Sequence, residues 1–280
     1  MIAVEDLRPF GDGLNHPEGL AWDPNARCLY AGGEGGELYR VSLDGEVELL
    51  ASTGGWMLGL AVDGDGRVYA CDHGRGRIAR LDPRTGELED YGRGRDDPLD
   101  TPNVAAFDGS GNLFVTCSGE AGRPEIVRID PDRSIRAWTT QVPGYPNGCV
   151  VLPDQSALLV VEAKAERVVR IPIRDDGSAG DPETFVELPD TDADGLALDG
   201  DGNLWVTLYR PDGIVRVDPT GTIDLRLDDH LATTLNAPTN IAFAGDALER
   251  AFIANVGGHH MLEADLGVKG QPLFLPRLSP

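Results

Sequence analysis

The chain has 280 residues, 41% of them hydrophobic, with 36 glycines and 20 prolines spread along its length. That is enough apolar material for a core and the composition of many short strands joined by turns, so it excludes a disordered or low-complexity chain. Acidic residues number 47 against 24 basic ones, a formal net charge of −23, and such a surface repels phosphate backbones and anionic lipid, so neither nucleic acid nor a membrane is expected as a partner.

In chain order, the first segment is Met1-Ile2-Ala3-Val4-Glu5-Asp6. It has no basic stretch followed by a long apolar one, so no secretory signal is expected. No run of 18 apolar residues occurs, so no membrane span is expected. The segment Val4–Phe10 precedes the repeats described next and has no blade of its own. It is expected to supply the outer strand of the last blade, which would close a ring and leave no open sheet edge.

From His16 onward, six segments resemble one another. They are His16-Pro17-Glu18-Gly19-Leu20-Ala21, Trp56-Met57-Leu58-Gly59-Leu60-Ala61, Thr101-Pro102-Asn103-Val104-Ala105-Ala106, Tyr145-Pro146-Asn147-Gly148-Cys149-Val150, Asp192-Ala193-Asp194-Gly195-Leu196-Ala197 and Ala237-Pro238-Thr239-Asn240-Ile241-Ala242. Taking Gly19, Gly59, Val104, Gly148, Gly195 and Ile241 as equivalent gives spacings of 40, 45, 44, 47 and 46 residues. This is the period of a four-stranded propeller blade.

Each repeat continues alike: a short apolar strand, an Asp/Gly turn such as Asp63-Gly64-Asp65-Gly66, a β-rich strand such as Val68-Tyr69-Ala70, and an alternating strand such as Arg77-Ile78-Ala79-Arg80-Leu81. Glycine in these turns supplies the positive φ that tight hairpins need. The sixth repeat stops after its third strand, near Met261–Leu266. The expected architecture is all-β, a six-bladed β-propeller with four antiparallel strands per blade, forming one domain over residues 1–280. Cys28, Cys71, Cys117 and Cys149 form no CxxC pair, and three lie in strand-like runs. Buried free thiols and a cytoplasmic location are therefore expected.

In a propeller the first strand of each blade lines the central channel. The residue before each equivalent position then sits where that strand enters: Glu18, Leu58, Asn103, Asn147, Asp194 and Asn240. One Asn or Asp before a strand is an ordinary turn residue. Five oxygen-bearing residues at one equivalent position, converging from distant parts of the chain, point to a cation. Two carboxylates and up to three amide carbonyls form a hard oxygen set with a charge of −2. This favours one divalent cation, Ca²⁺ first, with Mg²⁺, Mn²⁺ or Zn²⁺ as alternatives; the absence of Cys and His from the ring argues against a structural zinc site.

The loops between second and third strands return to the same face. They bring Glu34, His73, Ser118, Glu120, Glu162, Lys164, Tyr209, Arg210, Asn255, His259 and His260, the pool for substrate contacts and proton transfer. His73 and His259 are the groups whose type titrates nearest neutral pH.

At these residues the chain resembles the SMP-30/gluconolactonase family of six-bladed propellers, and more remotely diisopropylfluorophosphatase. The resemblance covers essentially the whole chain. Its motifs are His16-Pro17-Glu18-Gly19, Pro102-Asn103, Pro146-Asn147-Gly148, Asp194-Gly195-Leu196-Ala197-Leu198-Asp199 with Gly202-Asn203-Leu204-Trp205-Val206, and Leu266-Gly267-Val268-Lys269-Gly270. It implies a metal held by Glu18, Asn147 and Asp194, with Asn103 as a further ligand or a substrate contact. It also implies hydrolysis of a lactone or related ester, with Asp194 and Glu18 as the catalytic carboxylates. Asn103, Asn240, His73, Glu120, Tyr209 and His259 would surround a small-molecule substrate. Members acting on sugar lactones often carry an Arg two residues before the third-blade Asn and an Asp just after it. Here Thr101 and Val104 stand there, which favours a smaller or more apolar substrate.

Three functions compete. A metal-dependent lactonase leads. A phosphotriesterase or metal-dependent lyase on the same site is second. A non-catalytic, protein-binding propeller is third, and Glu18 and Asp194 in the channel count against it. Fold alone does not decide among them.

Overall fold

In this computed structural model, which describes residues 3–278, the repeats form six four-stranded antiparallel sheets. The inner strands are Leu20–Asp23, Met57–Val62, Pro102–Phe107, Pro146–Val151, Asp192–Leu198 and Pro238–Ala244. Each contacts the inner strand of the next blade, and the sixth returns to the first. The six-bladed propeller expected from the repeat period is thus the observed architecture.

The Asp/Gly turn after the inner strand has a clear local cause. The buried Asp63 carboxylate accepts the Asp65 and Arg67 backbone N–H groups at 2.9 and 3.0 Å and the Tyr69 hydroxyl at 2.9 Å. Asp199 does the same with Asp201, Asn203 and the Trp205 indole N–H. One side chain therefore closes the hairpin and ties down an aromatic of the second strand, as turn-forming aspartates can. Gly66, at φ +79°, completes the turn in a conformation that a Cβ would strain.

The core lies between neighbouring blades. Val150, Leu159, Val161 and Val168 of blade four, for example, pack against Leu196, Leu204, Val206 and Val215 of blade five. At some points near the axis neighbouring blades approach too closely for a side chain. A Cβ on Gly19 would lie 2.1 Å from the Leu58 carbonyl oxygen, and one on Gly148 would lie 2.1 Å from that of Asp194. Glycine is required at these two positions for space.

Ring closure is as expected in kind and shorter in extent. Only Arg8–Phe10 pairs with the last blade, Arg8 opposite Glu263 and Phe10 opposite Met261. Val4–Asp6 is instead a 3₁₀ turn, with the Asp6 carboxylate accepting the Ala3 N–H at 2.9 Å. The partner strand, Met261–Ala264, is four residues long and offers no pairing further back.

The C-terminal segment was assigned no place by the repeat pattern. Residues 271–278 cross the channel mouth on the face opposite the Glu18 ring. The Gln271 N–H bonds the Leu198 carbonyl at 2.9 Å, and on the far side the Gly64 N–H bonds that of Pro276 at 2.8 Å. Arg67 Nη1 donates to the Leu278 carbonyl at 3.3 Å. Under this strap lies a cavity of about 100 Å³ lined by Leu20, Leu60, Val104, Val150 and Leu196. Phe274, Leu275 and Leu278 reach from the strap into three inter-blade cores. Deleting residues 271–280 should cost about 4.5 kcal/mol, taking roughly 1.5 kcal/mol for each of these three side chains. The melting temperature should fall by roughly 10 °C, and a dye specific for exposed apolar surface should bind the variant and not the parent. An unchanged melting temperature would show that the strap does not stabilise the ring.

Among the described residues, no helix is long and apolar enough to cross a membrane. All four cysteines are free and buried.

Candidate active site

On the other face, the inner strands begin around a cavity of about 630 Å³. In blades two to six the inner strand carries a register shift at this point, for example between Pro102 and Ala105, Pro146 and Cys149, and Ala193 and Leu196. A bulge bends a strand and re-aims one side chain, and here it turns the pre-strand residue toward the axis. Thr207 stabilises one of these bulges by accepting the Gly195 N–H at 2.8 Å. Thr116 accepts the Val104 N–H at 3.0 Å in the same way.

Asn103, Asn147 and Asp194, at bulged strand starts, meet Glu18, just ahead of the regular first inner strand, at the cavity floor, with Leu58 completing the wall. Glu18 Oε2, Asn103 Oδ1 and Asn147 Oδ1 are all sealed from solvent without a hydrogen-bond partner. The Asn103 amide is fixed from behind. Its Nδ2 donates to Ser118 Oγ at 2.9 Å, and that hydroxyl donates to the Pro146 carbonyl at 2.8 Å. The free carbonyl oxygen therefore has no local partner left to satisfy it. A buried acceptor without a donor costs about 1–3 kcal/mol, and three in one place mark a missing positive partner.

Electrostatics agree. Burial, then the nearby Asp194 charge, pushes the Glu18 carboxyl well above its usual range. Burial and the Asp192 charge push Asp194 up, against a smaller opposing effect of the Asn147 amide. Two carboxylates are thus held where neither is comfortable ionised, unless a cation joins them. Among the described residues, no group of three or more His, Cys, Asp or Glu side chains could hold a metal. The donor set is two carboxylates plus amide carbonyls, which suits a hard, oxygen-preferring ion.

Above this floor the walls carry other chemistry. His73 Nε2 lies 3.9 Å from Glu120 Oε2, and the Tyr145 hydroxyl donates to Glu120 Oε1 at 3.2 Å. Lys164 Nζ sits 4.9 Å from the Tyr145 ring centre, and Arg210 covers Tyr209 at 4.7 Å. His73, Glu120 and Tyr209 all line the cavity.

Two expected positions need correction. The residue of blade six equivalent to Asn103 and Asp194 is Thr239, which lines the cavity and donates to the Glu18 carbonyl at 2.8 Å. Asn240 faces the opposite, strapped cavity. Its Cα packs against Gly195 as Val104 packs against Gly59, so the sixth repeat aligns one residue earlier than its apolar Ile241 suggested. A one-residue slip sends a strand side chain to the other side. His259 does not line the cavity. It stands behind His16, ring centres 4.6 Å apart, with Nδ1 on the Leu14 carbonyl.

The cavity also holds His16, Trp56, Thr101, Tyr145, Asp192 and Asn236. The signal for three of them was present: His16, Thr101 and Tyr145 each precede a proline at the blade start, and so does Ala237. All four adopt left-handed backbone, with φ of 47°, 59°, 66° and 54°. This conformation is costly outside glycine and tends to cluster at functional sites.

Comparison with known proteins identifies the family. A sequence model described as the SMP-30/Gluconolactonase/LRE-like region matches residues 16–257. Lactonase drp35 of Staphylococcus saprophyticus is 26% identical over 69% of this chain and 63% of its own length. A strictosidine synthase-like protein of Arabidopsis thaliana is 26% identical over 70% of this chain and 57% of its own. The chain thus spans less than two thirds of these relatives. Among solved structures, a gluconolactonase of Xanthomonas campestris superimposes with a TM-score of 0.80 at 25% identity, covering 95% of this chain and 89% of that one. A calcium-binding protein, regucalcin, of Agrobacterium tumefaciens gives 0.79 at 19% identity over 99% and 97%. With the family match covering all six inner strands, the chain belongs to the SMP-30/gluconolactonase/LRE-like family.

Proposed function

We propose that this protein hydrolyses a lactone or related ester at the floor of the 630 Å³ cavity, using one divalent cation, Ca²⁺, held by Glu18, Asn147 and Asp194. The observation that carries the reading is the set of buried, unpartnered oxygens of Glu18, Asn103 and Asn147 beside two carboxylates that burial disfavours as anions. The lactonase and gluconolactonase named among the relatives support the substrate class, and the calcium-binding relative supports the ion.

A bound cation of this kind supplies Lewis-acid polarisation of a carbonyl and lowers the pKa of water. The chain's own residues do the rest. Asn103, clamped by Ser118, presents a fixed oxygen to the cation or the substrate. Water attacks the ring carbonyl, the acyl–oxygen bond breaks, and one carboxylate and one hydroxyl result. Asp194, at the cavity floor, takes the proton from the water and returns it to the leaving alkoxide.

The test is a hydrolysis screen of lactones, aryl esters and phosphotriesters, with and without chelator. Lactone turnover that chelator abolishes and calcium restores is expected. Turnover of phosphotriesters alone, or turnover indifferent to chelator, overturns the reading. Within the lactones, gluconolactone should be the poorer substrate by about tenfold or more in kcat/KM against a simple δ-lactone. Leu58 offers no hydrogen bond at the cavity floor and Thr101 only a hydroxyl, so the hydroxyls of gluconolactone are short of partners, and unpaired polar groups in a pocket cost that much; Val104, expected to share in this, lines the opposite, strapped cavity instead. A gluconolactone preference would show that other wall residues supply them.

A further inference from the structure

Blade three holds its floor residue from behind, through a hydroxyl. Ser118 follows directly on that blade's second strand, Leu113–Cys117, and is 2% exposed. Its backbone N–H donates to the Thr101 carbonyl at 2.9 Å. His73, Ala163 and Val256 stand at the same place in blades two, four and six. Each makes the same backbone bond, to Trp56 at 2.9 Å, Tyr145 at 3.2 Å and Ala237 at 3.1 Å. An imidazole, a methyl and an isopropyl group therefore serve this turn as well as a hydroxyl does. The fold does not call for the Ser118 oxygen, and Ser118 does not line the cavity either.

What the hydroxyl does follows from its single proton. Ser118 Oγ donates to the Pro146 carbonyl at 2.8 Å. A carbonyl can only accept, so this bond takes the one proton that a serine has. Toward Asn103, at 2.9 Å, the same oxygen offers only a lone pair. Asn103 must answer with its NH2 group, and the carbonyl end of its amide is left without a partner at the cavity floor. The terminal torsion of an asparagine is broad and roughly two-fold, so the side chain does not itself choose which end points out. Pro146 is the residue just ahead of Asn147, so one hydroxyl also ties the floor residue of blade three to the strand start of blade four.

We propose that Ser118 is a positioning residue for the calcium site: it sets the polarity of Asn103, so that blade three turns an oxygen and not an NH2 group toward the ion. This rests on the reading of the cavity floor as a calcium site. Glu18 Oε2 and Asn147 Oδ1 are buried acceptors without donors. A reversed Asn103 amide would bring N–H groups to that floor and satisfy acceptors in the ion's place. Residues behind a metal's ligands act in this way, by fixing the orientation of the groups in front.

The test is a double-mutant cycle read by calorimetric titration of calcium. Ser118→Ala should fold, since Ala163 holds the same place in blade four. It should weaken calcium binding by about tenfold or more, the usual loss when a residue behind a metal ligand is changed. In the Asn103→Asp background the same Ser118→Ala change should not weaken calcium binding, because both ends of a carboxylate are oxygen and no orientation is left to lose. Side-chain amide NMR of the calcium-free protein, with asparagine alone labelled with 15N, gives a second reading. The Asn103 signals, identified by their loss in Asn103→Asp, should exchange slowly with solvent in the parent and faster in Ser118→Ala. An equal loss of calcium affinity in both backgrounds overturns the proposal, because a packing defect would act alike on either side chain. Unchanged affinity or unchanged amide exchange in Ser118→Ala overturns it as well. A parent that binds no calcium, with protection of the Asn103 amide lost in Ser118→Ala, would instead overturn the calcium reading and leave the clamp on Asn103 standing.

Discussion

Asp194→Ala is expected to abolish most calcium binding and to lower lactone turnover by about three orders of magnitude, the worth of several kcal/mol of transition-state charge stabilisation. The blades should stay folded. The inter-blade cores, such as that of Val161, Val206 and Val215, do not involve the Asp194 side chain, and removing a carboxylate that burial disfavours relieves the apo protein. Asp194→Asn keeps the size and loses the charge, so it should weaken the cation and any base role together. Glu18→Gln should weaken the cation with less effect on proton transfer. Asn103→Ala should reduce turnover more than calcium affinity if Asn103 serves the substrate, and both equally if it is a ligand. Calorimetric titration of calcium beside the hydrolysis assay separates these cases. If Glu18→Gln and Asp194→Ala both bind calcium as the parent does, the ion is held elsewhere.

Gly148→Ala should be among the most damaging single methyl additions in the chain. The new Cβ would stand 2.1 Å from the Asp194 carbonyl oxygen and 2.9 Å from Gly195 Cα, both main-chain atoms that cannot swing away. Blades four and five must separate by more than an ångström for it to fit. Overpacking of this kind costs about 3 kcal/mol. It also parts Asn147 from Asp194, two of the proposed ligands, so calcium affinity should fall with stability. Gly86→Ala is the control: its φ is +75°, with nothing within 4 Å of the added carbon, so the cost should be about 1 kcal/mol with no effect on calcium. Urea unfolding with and without calcium measures both. Equal losses for the two variants would show that the close approach at the axis is not what fixes the ligands.

The blades were legible in the sequence because each repeat restates the same local physics. An Asp closes a hairpin, a glycine turns it, and apolar strands alternate with polar edges. The positions that meet at the cavity floor were legible for the same reason, except where a side chain's type misled. In blade six, Asn240 resembles the ring asparagines more than Thr239 does, and Ile241 resembles a strand start. The proline fixes the register instead, since Ala237-Pro238 occupies the place of Tyr145-Pro146 and Thr101-Pro102. The N-terminal pairing was read too long because the length of Met261–Ala264, its partner, is set by the loop after it. The strap over the second mouth left no repeat signature. Its bonds run from irregular backbone to carbonyls and amides of distant blades, and no periodicity encodes that. Trp56 was missed as a wall residue because it lies just ahead of the second inner strand, where attention went to residues bearing oxygen.

The left-handed residues ahead of the four prolines have a consequence for how the family can diversify. His16, Thr101, Tyr145 and Ala237 share one backbone conformation although an imidazole, a hydroxyl, a phenol and a bare methyl project from it. The shape therefore goes with the path of the chain into the blade start and not with the type of side chain. An exchange at any of these positions alters what meets an incoming molecule and leaves the oxygens beneath in place. The protein thus separates two parts of the cavity: the floor to which we assign the reaction, and a rim whose side chains can be exchanged one residue at a time. A library confined to these four codons would sample new cavity rims while holding the fold and the floor residues constant.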